Sequence, residues 1–78
     1  MANNNYLSFR NNAAGLEDAM RQGRTVRFKY RKQNGSIRHA YGRFPKRLAE
    51  DMGIDGNVFL YWDVERSDWR SFLIRNLL

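Results

Sequence analysis

From residue 26 the chain alternates strictly: Val26, Phe28 and Tyr30 are apolar or aromatic, and Arg27, Lys29 and Arg31 between them are charged. A period of two sends successive side chains to opposite faces of a strand, so this segment predicts one buried face and one cationic face. Asn34-Gly35 follows, a pair that accepts the positive φ angles of a tight turn, and it marks a hairpin. The return strand is predicted over Ile37 to Phe44, with two solutions for its register. A two-residue loop pairs Phe28 with Tyr41; a three-residue loop with a glycine bulge pairs it with Ala40. The second sets small Ala40 and Gly42 opposite large residues and is favoured.

Before the hairpin the period is helical. Ala13, Leu16 and Met20 fall on one narrow face, Asn12 is a suitable N-cap, and Gly23 is a natural terminator. Residues 1–11 are rich in asparagine with isolated Tyr6, Leu7 and Phe9, and read as a flexible tail. Residues 12–78 read as one domain, close to the lower size at which an apolar core supports a fold. Pro45 ends the return strand. Residues 46–57 read as an insertion, with a helical turn around Leu48 to Met52. A third strand is expected over Val58 to Val64 and a fourth over Trp69 to Arg75, separated by a turn at Ser67-Asp68. Asn76 to Leu78 could close a barrel edge. The class is mainly β (α+β), a short helix followed by two β-hairpins in a small, strongly bent barrel. An open sheet covered by the helix is the competing arrangement. Phe28, Phe59, Phe72 and one of the two tryptophans are expected inside.

Charge divides the chain. Arg24, Arg27, Lys29, Arg31, Lys32, Arg38, Arg43, Lys46 and Arg47 occur with no acidic residue among them, whereas Leu48 to Asp68 holds Glu50, Asp51, Asp55, Asp63, Glu65 and Asp68 against Arg66 alone. With a net charge of +6 and an isoelectric point near 10.3, the basic half calls for a polyanionic partner. Cations two residues apart on a strand project about 6–7 Å from one another, comparable with the spacing of phosphates along a strand. Tyr30 and Tyr41 sit within the basic hairpin and are the favoured stacking platforms; Tyr61, Trp62 and Trp69 are further candidates.

Other chemistry finds little footing. There is no cysteine, so disulfides and thiolate metal sites are excluded, and His39 alone makes a zinc site unexpected. His39 reads as an ordinary strand residue. The carboxylates lack the spacing of a paired acid and base, and phosphate-loop patterns are absent, so no enzyme, cofactor or metal is expected. No apolar run approaches the length of a membrane span and no secretory signal is visible, which reads as a cytoplasmic protein without membrane contact.

The run from Phe59 to Leu77, with Tyr61-Trp62 before a turn and Arg70, Phe72 and Arg75 after it, resembles the WYL domains of bacterial and phage proteins. The first hairpin, from Val26 to Arg38, is similar to small stand-alone WYL-like proteins of phages and their hosts. The resemblance covers Arg24 to Leu77. It implies an Sm-like, Src-homology-3-type barrel that binds nucleic acid or nucleotide-like ligands, often in transcriptional regulation or antiphage defence. It also implies a ligand pocket lined by Arg70, Arg75 and Tyr61. The literal Trp-Tyr-Leu triplet is missing, the nearest string being Leu60-Tyr61-Trp62, and no winged helix accompanies the domain.

The leading expectation is a non-catalytic accessory protein of a phage or bacterium, acting in the bacterial or host cytoplasm. It would grip DNA or RNA through the cations from Arg24 to Arg47 while Tyr30 or Tyr41 stacks on a base. The rival is a protein-interaction module docking on a host enzyme or defence factor, for which the acidic segment would be useful. A third reading is a sensor of a small nucleotide. Sm-like barrels often form rings, and Leu77-Leu78 could join such a homo-oligomeric interface.

Overall fold

Asn12 opens the helix as its residue type suggests: its side-chain oxygen accepts the amide of Gly15 at 3.0 Å, satisfying one of the donors that a first turn leaves open. The computed structural model describes residues 8–78, in which α1 spans Ala13–Arg21 and buries Ala13, Leu16 and Met20. Gly23, at φ +85°, turns the chain out of the helix. Of the segment read as a tail, Tyr6 and Leu7 lie outside the described residues. Phe9 packs against the core, and its amide donates to the Leu78 carbonyl at 3.2 Å.

β1 (Val26–Arg31) and β2 (Ile37–Arg43) pair antiparallel with Phe28 opposite Ala40, the favoured register. The loop is the three-residue form. Lys32 donates to the Ser36 carbonyl at 2.7 Å, Gly35 donates to the Lys32 carbonyl at 3.0 Å, and Gly35 sits at φ +92°. Packing enforces the same register from below, because a Cβ on Gly42 would stand 2.7 Å from the Tyr61 ring and 3.0 Å from that of Phe28.

A 3₁₀ turn at Lys46–Asp51 replaces the helical turn expected around Leu48 to Met52. It leads into a strand that the sequence did not announce, β3 (Gly53–Asp55). Three residues are too few to show a period. The strand is held partly from outside the sheet, since the Ile54 amide donates to the Glu17 carboxylate of α1 at 2.8 Å.

β4 (Val58–Asp63) is the central strand. β5 (Asp68–Leu73) pairs along its whole length, while β3 and the end of β2 share its other edge. β5 stops two residues short of the expected Arg75. The Ile74 amide turns to the Asn57 carbonyl at 2.8 Å, and Ile74–Asn76 form a second 3₁₀ turn. Leu77 then bridges to Tyr30, and the Leu78 amide donates to the Lys29 carbonyl at 3.0 Å. This contact closes the edge and decides for the barrel over the open sheet.

Aromatic rings fill the interior. Tyr30 stacks on Phe72 with centroids 4.4 Å apart, Phe59 stacks on the other rings through Phe72 at 5.2 Å, and Phe28 meets Tyr61 edge-on at 5.1 Å. Such pairs contribute about 0.5–1.5 kcal/mol each beyond their area. The expectation of a tryptophan inside is corrected: Trp62 packs only on the margin of the core and Trp69 is 37 % exposed. Both occupy the outward positions of strands whose inward positions are taken by Phe59, Tyr61 and Phe72.

Candidate functional site

The hairpin register sorts the basic residues by face. Opposed residues in an antiparallel ladder share a face, so Arg27 lies beside Tyr41, Lys29 beside His39 and Arg31 beside Ile37, all on the outer surface. Arg43 continues this surface two residues beyond Tyr41 and neighbours Trp62, which in turn neighbours Trp69. The Arg27 guanidinium lies 5.0 Å from the centre of the Tyr41 ring, and the two indoles meet edge-on at 6.2 Å. Among the described residues no carboxylate comes within ion-pair distance of Lys29, Arg31 or Arg43. Arg24 is exposed between α1 and β1, and Lys46 and Arg47 are exposed on the first 3₁₀ turn.

Arg38 departs from the expected cationic surface. Opposite Tyr30 in the ladder, it points to the inner side of the hairpin and pairs with Asp63, a carboxylate with 0 % exposure. Glu65 lies 3.9 Å from the same guanidinium. Burial works against the charge on Arg38, but the hydrogen bond and charge of Asp63 outweigh it and raise its pKa above the ordinary arginine value. Tyr30 also leaves the list of stacking platforms, being 5 % exposed with its hydroxyl 2.9 Å from that of Tyr61. Tyr61 is wholly buried. Burial first, then the hydrogen bond to Tyr30, pushes its hydroxyl far above the usual tyrosine range, so it stays protonated.

The pocket implied for Arg70, Arg75 and Tyr61 does not form as a unit. Tyr61 is in the core, and Arg75 lines a separate hollow with Gly56 and Asn57. Arg70 instead borders a cavity of about 640 Å³ at the mouth of the barrel, between the tip of the first hairpin and β5. Arg31, Lys32, Arg38, Arg66 and Arg70 surround it, no carboxylate lines it, and Val58, Phe72 and Leu73 supply apolar surface. Arg70 is held by Asp68 at 3.0 Å. The Trp69 amide and then Arg70 keep the Asp68 carboxyl below its usual range. Arg66 is the residue that sequence reasoning passed over. It stands alone in an acidic stretch, and only the folding of the second hairpin against the first brings it to the basic loop.

Among the described residues no helix is long and apolar enough to cross a membrane. No curated protein and no solved structure matches the chain. One family model does, over residues 13–78, and it describes an Sm-like SH3 beta-barrel fold. That span takes in α1, both hairpins and the closing Leu77-Leu78, and its description agrees with the barrel that these elements build. The chain belongs to the WYL_2 family.

Proposed function

We propose that the domain binds nucleic acid without catalysing a reaction on it, using the outer face of the first hairpin. Arg27, Lys29, Arg31 and Arg43 would hold backbone phosphates while Tyr41 and the exposed Trp69 present ring surface to bases. The observation that carries this reading is the shared face: the register places four cations and Tyr41 on one surface, and Lys29, Arg31 and Arg43 meet no carboxylate there among the described residues. Membership of the WYL_2 family, a domain family that suggests a ligand or nucleic-acid sensing role, supports it. Phosphate contacts position a partner without specifying its sequence, so the expected binding is salt-sensitive and weakly specific.

Fluorescence anisotropy with single-stranded DNA, duplex DNA and RNA at about 50 and about 200 mM salt tests the proposal. The triple variant Lys29→Gln/Arg31→Gln/Arg43→Gln, checked for an unchanged thermal transition, should bind far more weakly than the parent. Absence of binding to all three nucleic acids at the lower salt would end the idea.

The rival, docking on a host protein, drew on the acidic segment as a feature that a nucleic-acid binder would not need. Two of its carboxylates have internal work to do: Asp63 anchors Arg38, and Asp68 anchors Arg70. Retention of one stoichiometric protein from a nuclease-treated lysate, without any nucleic-acid binding, would favour the rival.

A further inference from the structure

Hydrogen bonding alternates along an antiparallel ladder, so every other residue of an outer strand turns its N–H and C=O away from its neighbour. Just past β4, the Val64 amide reaches the Tyr41 carbonyl of β2 at 2.8 Å; just past β5, the Ile74 amide reaches the Asn57 carbonyl at 2.8 Å. Carried along the register, these bonds make Asp68, Arg70 and Phe72 the β5 residues joined to β4. Trp69, Ser71 and Leu73 face the other way, and among the described residues no strand pairs with β5 on that side.

Part of this free edge is covered by its own side chains. The Trp69 amide donates to the Asp68 carboxylate at 2.8 Å, and the Trp69 carbonyl accepts from the Arg70 guanidinium at 2.9 Å. Side chains used in this way blunt an edge against unwanted pairing. The cover stops there. Ser71 is exposed, and neither its N–H nor its C=O, nor the Leu73 N–H, has a partner among the described residues. The bare stretch borders the hollow between β5 and the tip of the first hairpin, where Phe72 and Leu73 offer apolar surface and Lys32 and Arg66 stand close by. Arg38 and Arg70 are already paired, whereas Lys32 and Arg66 meet no carboxylate among the described residues.

Charge and backbone chemistry together choose the occupant. A second copy laid edge to edge would set one cationic rim against another. A nucleic-acid strand has charge for Lys32 and Arg66 but no alternating N–H and C=O to match Ser71. An extended peptide has that alternation, and carboxylates on it complement the rim. We propose that the edge of β5 at residues 71–73 takes an acidic peptide as an added strand. Ser71 exchanges both backbone bonds with it, an apolar side chain lies beside Phe72, and flanking Asp or Glu residues are drawn to Lys32 and Arg66. The site is apart from the outer face of the first hairpin, and its occupation does not depend on nucleic-acid binding.

Amide hydrogen exchange on the isotope-labelled full chain, read residue by residue by NMR, tests the site. In the free protein Ser71 should exchange rapidly while Phe72, bonded to β4, is protected. The capped pentapeptide Glu-Asp-Val-Asp-Glu should slow Ser71 by about tenfold or more and shift the Leu73 amide; its basic counterpart Lys-Asn-Val-Asn-Lys should do neither. Ser71→Pro removes the outward donor at a position where the ladder does not need it. It should abolish peptide binding with an unchanged thermal transition. Lys32→Gln/Arg66→Gln leaves the edge intact and should weaken the peptide about threefold to tenfold at low salt. Failure of the acidic peptide to shift either amide, equal binding of the basic one, or unaltered affinity in the charge variant would each overturn the proposal. So would protection of Ser71 that rises with protein concentration alone, which identifies a second copy, or protection by oligothymidylate, which identifies a nucleic-acid strand.

Discussion

A carboxylate without solvent exposure needs partners for its charge, and Asp63 has two: the Arg38 guanidinium, and the Arg66 amide, which donates to its second oxygen at 3.0 Å. It thereby fixes a cation at the barrel mouth and shapes the turn that carries another. Removing one member of a buried pair leaves the other's charge uncompensated. Asp63→Ala should therefore lower stability by about 3 kcal/mol, measured by urea unfolding, and adding Arg38→Met should recover part of the loss. Asp68 makes a second test. Its folded pKa is depressed, so its contribution to stability is present above the unfolded value and is lost as pH falls through the folded one. In an NMR titration its midpoint should lie below 3.8 and move back towards that value in Arg70→Gln. The sequence showed that Asp63 and Arg38 existed but not that they would meet. With the hairpin register open, the face of Arg38 was open too, and a residue one position out of step would have joined the outer cations.

At the scale of elements, the first hairpin was the most legible part of the fold. Strict alternation and Asn34-Gly35 announced the hairpin but left two registers open; the small residues Ala40 and Gly42 favoured one of them, and the structure has it. Local signals succeed where a few adjacent residues carry the whole argument. β3 was not legible because its three residues owe their place to β4 and to Glu17 of α1, which are distant in sequence. The basic face could be read for the same reason as the hairpin; the cavity could not, because Arg66 and Arg70 reach Arg31 and Lys32 only through tertiary packing. Gly42 tests the packing argument. A methyl group there would press on Tyr61 and Phe28, and Gly42→Ala should cost about 1–3 kcal/mol, seen as a lower melting temperature with the strand content retained.

The whole molecule carries a formal charge of +6, and the ladder register sets Arg27, Lys29, Arg31 and Arg43 on one outer sheet face. The electrostatic share of binding should appear in the slope of log affinity against log salt concentration. Each phosphate contact removed should flatten that slope by roughly 0.7–0.9, so Lys29→Gln/Arg31→Gln/Arg43→Gln should flatten it by about 2–3. A slope unchanged by the triple substitution would place the bound backbone elsewhere on the protein.

β2 and β4 are joined by only two ladder pairs, Gly42 with Asp63 and Arg43 with Trp62, whereas six pairs hold each hairpin together. That short join is reinforced by contacts outside the ladder: the Val64 amide on the Tyr41 carbonyl, Arg38 on Asp63, the Tyr30 and Tyr61 hydroxyls on each other, and the Leu78 amide on the Lys29 carbonyl. The two hairpins therefore hold their mutual placement through tertiary contacts more than through ladder bonds.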